Sequence, residues 1–256
     1  MNLVESSRRL ISGSMPVEVW REILKARAGN RNYEVGGYPS IFNKLCGSKQ
    51  QTLVGQLGQS VDGRIATEAG HSFYINCPEA LDHLHCLRAL CDGVVIGVST
   101  AICDNPQLTV RRVEGKSPAK IIIDPKGRLP FETKLLHDAT VRRIVVTGQN
   151  VDINLPDGVE HITVATNGDG VISCGDICHA LGEFRNILIE GGAWTLSRFL
   201  SEGLLDHLHL MVAPLIIGAG PSGIKLPPIE KLDDAMRPKA NWFHLGCDVL
   251  LDLDLD

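Results

Sequence analysis

Residues 187–200, I-L-I-E-G-G-A-W-T-L-S-R-F-L, limit the fold more than any other stretch of the chain. Ile187, Leu188 and Ile189 read as a buried strand that ends on the carboxylate of Glu190. Gly191 and Gly192 then permit the backbone angles of a sharp turn, and Trp194, Leu196, Phe199 and Leu200 give the next segment the partly apolar face of a helix. The first N–H groups of such a helix lack partners within it, and the helix dipole adds positive potential there. The turn is therefore a candidate anion cradle, with Glu190 at its lip to accept from a sugar hydroxyl. An ordinary strand-to-helix connection fits the same letters.

The surrounding pattern supplies the architecture. Apolar runs predict strands at 53–57, 93–98, 120–123, 143–147 and 161–165, separated by helices at 78–91 and 173–182. Such alternation implies a largely parallel sheet covered on both faces. Beyond Asp206, residues 207–212 and 242–251 read as long strands with no strong helix between them, which predicts an antiparallel C-terminal edge. The ending D-V-L-L-D-L-D-L-D alternates as a half-exposed strand does. Before Thr52 there is one convincing element, a helix that Ser14 caps, Pro16 opens and Gly29 closes, with Trp20, Ile23 and Leu24 as its apolar stripe. Residues 30–40 read as irregular chain. We expect residues 1–50 to be an N-terminal extension packed on a main domain at 51–256, a partner-binding arm being the alternative.

At 256 residues and 44% hydrophobic, the chain can bury a large core. A net charge of −5 argues against a general nucleic-acid binder. No segment approaches the roughly 18 uninterrupted apolar residues of a membrane span, and a cytoplasmic protein is expected. Eight cysteines scattered through apolar segments of a large chain read as reduced thiols. Cys174 and Cys178 beside His179 share a spacing that a metal could use, but no C-x-x-C pair and no zinc-deaminase signature occurs, and no metal site is expected. His83 and His85 do not face each other on a helix, whereas His207 and His209 share a strand face.

Ligands of open α/β sheets bind beyond the carboxyl ends of the parallel strands. Three segments fall there: Ser60 to Arg64; Ser99, Thr100 and the loop C-D-N-P-Q-L-T-V-R-R; and Glu190 with its glycine turn. Each has a plain structural reading. Asp62-Gly63 is a common turn pair, Asp104-Asn105-Pro106 fits a capped turn, and Arg88, off the face carrying Leu81, Leu84, Leu87 and Leu90, suits a solvated surface charge. Together they offer carboxylates, hydroxyls, arginines and a helix start around one cleft, an inventory suited to a phosphorylated, hydroxylated small molecule and a dinucleotide.

The segments G-Q-S-V-D-G-R-I-A-T, G-H-S-F-Y-I, L-R-A-L-C-D-G-V-V-I-G-V-S-T-A-I-C-D-N-P-Q-L-T-V-R, I-I-I-D-P-K-G-R-L-P, I-L-I-E-G-G-A-W-T-L and G-L-L-D-H-L-H-L-M-V-A-P closely resemble the pyrimidine reductases of riboflavin biosynthesis. The resemblance runs from about Thr52 to Asp256 and lacks the deaminase half found in many bacterial members. It implies a dihydrofolate-reductase-like three-layer αβα sandwich with a mostly parallel central sheet. It also implies NADPH-dependent reduction of a ribosylamino-pyrimidine 5′-phosphate to its ribitylamino form, by a homodimer without nucleic-acid or membrane partners. On this resemblance Ser72, Arg88, Leu108, Arg111 and Glu190 hold substrate, with Gln56 beside the reacting sugar. Gln59, Tyr74, Thr100, Asp104, Pro125 and the turn Gly192, Ala193, Trp194, Thr195, Leu196, Ser197 and Arg198 bind cofactor, and Asp104 and Glu190 are the candidate catalytic residues. The chain departs from the family at Gln56, commonly lysine, and mildly at Ser99 and Asn105. A related pteridine- or pyrimidine-like substrate, or a non-catalytic nucleotide-binding role, is the alternative.

Overall fold

The structure is a computed structural model that describes residues 15–34, 36–73 and 75–255. Nine strands form one sheet in the order β5-β4-β3-β2-β6-β1-β7-β9-β8. These are β1 (Thr52–Ser60), β2 (Gly93–Gly97), β3 (Ala119–Ile123), β4 (Arg143–Gly148), β5 (Val159–Val164), β6 (Asn186–Glu190), β7 (His207–Ala213), β8 (Lys239–Leu245) and β9 (Asp248–Asp254). The first seven pair in parallel, and β9 runs antiparallel to both β7 and β8.

Strand alternation divides the interior in two. Val54, Val94, Ile96, Ile122, Val145 and Leu188 face helices α1 (Val17–Ala28), α2 (Ile41–Gly47), α3 (Pro78–Leu90), α4 (Val98–Asp104) and α5 (Lys134–His137). Leu53, Val95, Ile121, Ile144, Ile187 and Ile189 face α6 (Cys174–Ala180) and α7 (Ala193–Ser201). Three layers result, as successive side chains of a strand point to opposite faces. The expected alternation of strands and helices is thus present, with the antiparallel edge where the sequence places it.

Four local expectations change. The segment 98–104 is helix α4 rather than loop. Residues 242–251 are not one strand but the turn of a hairpin, because Gly246 adopts φ +62° and folds β9 back on β8. Leu81 and Trp194 are exposed rather than on the apolar faces of their helices. Finally, Asp248 and Asp252 are 0% and 2% exposed, so the acidic side of the terminal strand is its inner side. Asp252 Oδ1 lies 3.3 Å from His207 Nδ1 and 3.1 Å from His209 Nε2, and His209 Nδ1 lies 2.8 Å from His83 Nε2. Burial alone raises the Asp252 carboxyl, but its bonds to His207 and His209 outweigh that and hold it below the usual range.

Among the described residues before Thr52 there are two helices, not one. In α2, Ile41, Phe42, Leu45 and Cys46 are buried in the core that includes α3. Trp20 of α1 is buried beside them, with Nε1 donating to the Glu114 carbonyl at 2.8 Å. The expected Ser14 cap lies outside the described residues. Trp20→Ala is expected to cost about 3–5 kcal/mol of stability, read from the denaturant midpoint, by leaving a cavity and an unpaired carbonyl. An arm that merely binds a partner would leave that midpoint unchanged.

Candidate active site

Gln56 and Glu190 are register neighbours on β1 and β6, and their side chains share the face covered by α3. From α3, Arg88 Nε donates to Glu190 Oε2 at 2.8 Å, Nη2 bonds Oε1, and Nη1 donates to the Thr109 carbonyl at 3.1 Å. The two side chains are only 6% and 15% exposed. Arg88 is therefore not a solvated charge: leaving the leucine face turns it toward a carboxylate 102 residues away. Gln56 is 5% exposed, and among the described residues its side chain has no hydrogen-bond partner. Its amide is not fully closed off, since the buried side-chain atoms without a partner are those of Asp124, Arg143 and Asn186, so it stands open to a ligand.

The loop after α4 closes over this pair. Asn105 ends α4 at φ +39°, and Leu108 follows at φ +54° while buried. A bulky residue held left-handed costs on the order of 1–3 kcal/mol, and such strain gathers at functional sites. Further along, the Arg111 N–H donates to His85 Nδ1 at 3.1 Å. Burial first, then the charges of Arg88, Arg111 and Arg112, pushes the His85 imidazole down to about 4. His85 is a site residue that sequence reasoning missed, for nothing in its spacing reveals the loop it supports. Of the three arginines, Arg88 is paired with Glu190 and Arg112 with Asp82 at 2.5 Å, whereas Arg111 has no carboxylate partner among the described residues. Desolvation and its two arginine neighbours lower the pKa of Arg111, so an arriving anion would relieve an uncompensated charge.

The glycine turn works differently from expectation. Neither Gly191 nor Gly192 has a positive φ; of the two, Gly192 is the one short of space, and Gly191 has room for ordinary contact. A Cβ on Gly191 would stand 3.5 Å from Ile96 Cα, and one on Gly192 would stand 3.1 Å from Thr100 Oγ1. The Gly192 N–H donates to Thr100 Oγ1 at 2.9 Å, which locks α7 to α4. The next two N–H groups, of Ala193 and Trp194, have no acceptor in the protein and open outward as the helix start requires. Thr195, Leu196 and Ser197 point into the core, with Ser197 Oγ accepting from the Lys225 N–H at 2.8 Å, so this turn offers backbone more than side chains. Arg198 lies 4.9 Å over the exposed Trp194 ring and donates to the Ile172 carbonyl.

The remaining candidates are spread around the same end of the sheet. Pro125 stands at the carboxyl end of β3, where its carbonyl accepts from the Gly148 N–H at 3.2 Å. Gln59 alternates to the α7 face, beside Gly223. Asp104 is exposed at the end of α4 without a partner, and partial desolvation raises its carboxyl. Ser72 is half-buried in the segment joining β1 to α3, and Tyr74 lies outside the described residues. Asp62, by contrast, is structural: it accepts from Ser60 Oγ and the Ile217 and Gly218 N–H groups, which lower its carboxyl to about 2.

Residues 51–251 match the family described as the RibD C-terminal domain. The chain belongs to that family. Among RibD-type relatives, the riboflavin biosynthesis protein RibD of Aquifex aeolicus is 34% identical over 75% of this chain and 54% of its own length. The 2,5-diamino-6-ribosylamino-4(3H)-pyrimidinone 5′-phosphate reductase of Methanothermobacter thermautotrophicus is 27% identical over 75% of this chain and 93% of its own. Among solved structures, a Thermotoga maritima diaminohydroxyphosphoribosylaminopyrimidine deaminase/5-amino-6-(5-phosphoribosylamino)uracil reductase superposes with a TM-score of 0.68 at 25% identity, over 83% of this chain and 59% of that one. The chain thus spans little more than half the length of the RibD proteins it matches. Among the described residues, no helix of this RibD-type chain is long and apolar enough to cross a membrane.

Proposed function

We propose that this chain reduces a ribosylamino-pyrimidine 5′-phosphate to the ribitylamino compound with NADPH. The observation that carries the reading is the Gln56 amide, open to a ligand and without a partner among the described residues, beside the Arg88–Glu190 pair. A sugar hydroxyl or imine nitrogen there would satisfy Gln56 while Glu190, fixed by Arg88, accepts from a neighbouring hydroxyl. Arg111 is the cation left over for the 5′-phosphate. The chain also fits a dinucleotide: the free N–H groups of Ala193 and Trp194 suit a pyrophosphate, and glycines at 191 and 192 leave the approach clear. A bound reduced nicotinamide would supply hydride to the first sugar carbon. This chain's residues hold that carbon in register, and Asp104, raised by desolvation, is the acid nearest in kind to a proton source.

The Methanothermobacter relative, matched over 93% of its own length, is named as a reductase of the 2,5-diamino compound, which favours the non-deaminated diaminopyrimidine as substrate. Loss of reduced-nicotinamide absorbance with each of the two pyrimidine phosphates tests the reading. Turnover of the diamino compound is the expected outcome, and no turnover of either would end the assignment. In the same assay Arg111→Ala should raise KM about tenfold with little change in kcat, since an exposed charge-assisted contact contributes about 1.5 kcal/mol.

A homodimer would use the α7 side of β7, β9 and β8, where Val212, Leu251 and Leu253 are half-buried and Trp242 is exposed. Leu251→Asp should convert a dimer to a monomer by light scattering; a monomeric unaltered chain would sink this placement.

A further inference from the structure

Away from the substrate groups, the β8–β9 hairpin turns over the start of α3. There the Sγ atoms of Cys77 and Cys247 and a carboxylate oxygen of Asp248 lie within 4.8 Å of one another. We infer that these three residues bind a divalent metal ion of the zinc class, with a fourth coordination position open beside Glu79.

The donors are oriented for this. Asp248 is fully buried, yet one carboxylate oxygen is committed: Oδ2 accepts from Asn76 Nδ2 at 2.8 Å and from the Cys77 N–H at 3.0 Å. Oδ1 is left facing Cys247, whose Sγ lies 3.5 Å away. Outer donors that fix a ligating carboxylate are a regular part of metal sites. The hairpin also carries glycine at the one place where a side chain would obstruct: a Cβ on Gly246 would stand 2.4 Å from Glu79 Oε2 and 3.1 Å from Cys77 Sγ. Among the described residues no lysine or arginine pairs with Asp248, whose bonds are to Asn76, Cys77 and Cys247.

Size and chemistry agree. Tetrahedral zinc with bonds of about 2.0–2.3 Å sets its donors roughly 3.5–3.8 Å apart, so closure asks for shifts of about 1 Å, which the exposed Cys247 can supply. Two sulfurs and one oxygen favour zinc over magnesium or calcium. Cys77 Sγ now donates to the Leu245 carbonyl at 2.7 Å. Binding replaces both thiol protons with the metal, releasing two protons per ion with no change of oxidation state. The ion would then tie the hairpin to α3 and to the segment that carries Ser72.

The full-length chain, reduced and stripped with a chelator, is titrated with cobalt(II) and then zinc(II). One equivalent of cobalt is expected to give thiolate-to-metal charge-transfer absorbance and tetrahedral visible bands. Cobalt binding should release two protons per chain, and zinc should then erase both absorbances without releasing more. Asn76→Ala, which keeps every donor, should weaken binding by about 10–100-fold, and Cys247→Ser should remove about half of the charge-transfer band. The inference is overturned if the reduced chain shows no such band, if the band survives in the Cys77→Ser/Cys247→Ser double variant, or if the thiols form a disulfide and cobalt still finds no site. Metal content of the unaltered chain by mass spectrometry decides the matter even where a variant fails to fold.

Discussion

Glu190→Gln should lower both stability and turnover, and the two losses should be separable. The substitution leaves the Arg88 guanidinium, whose side chain is 6% exposed, opposite a neutral amide with one acceptor instead of two. Breaking a buried pair by removing one charge costs about 3–5 kcal/mol when burial is complete; the partly open edge of Glu190 puts the expectation near 3 kcal/mol. Turnover should fall about a hundredfold, because the loop held by the Arg88–Thr109 bond and the acceptor for the sugar shift together. Replacing both partners, Arg88→Met with Glu190→Leu, should recover most of the denaturant midpoint, since apolar residues of similar volume often replace a buried pair at no net cost. It should recover none of the turnover. If the double variant regains activity along with stability, the pair is scaffolding and the proposed substrate contact is wrong.

Acid should destabilise this protein earlier than carboxylate titration would. His83, through burial and then the neighbouring His209, has an imidazole well below its ordinary value, and that of His85 is pushed to about 4. Both are held neutral in the fold, so below about pH 6.5 the unfolded chain takes up protons that the folded chain refuses. Stability therefore falls as pH drops through this window, and for His85 the loss is complete only near its folded value. The shift from 6.5 to about 4 corresponds to about 3 kcal/mol. Asp252 acts lower: its depressed carboxyl contributes stability above the ordinary carboxylate range and loses it only below. His85→Asn keeps an acceptor for the Arg111 N–H and removes the titration, so its denaturant midpoint should change less between about pH 7 and pH 4.5. Equal slopes for the variant and the unaltered chain would exclude His85 as a source.

The sheet was legible because its inner strands are short, continuous apolar runs, which need no partner to be recognised. What escaped depends on partners. The helix α2 spans seven residues, too few to build periodicity beside a glycine-rich stretch. The break at Gly246 hides in an alternation that runs through Phe243 and on to Leu250. Asp248 and Asp252 look solvent-facing until Asn76 and the histidines of β7 are placed against them. In the site, the Gly-Gly pair announces a special turn, but letters do not distinguish a need for positive φ from a need for room. Arg88 and Glu190 were both identified as substrate-holding positions; that each occupies the other is a fact of register and helix placement.

The position of β1 bears on how the molecule is made. It is the first of the described strands in chain order and lies between β6 and β7, with Thr52 paired to Asn186 and Val54 to His207. Meanwhile β2, β3, β4 and β5 find neighbours in the order of their synthesis. Loop closure over so long a span is slow, so the apolar T-L-V-G-Q-L waits unpaired while later strands assemble beside it. β1 is housed only once β6 and β7 are made, and a nascent chain halted before residue 186 would carry this inner strand as an open, aggregation-prone edge.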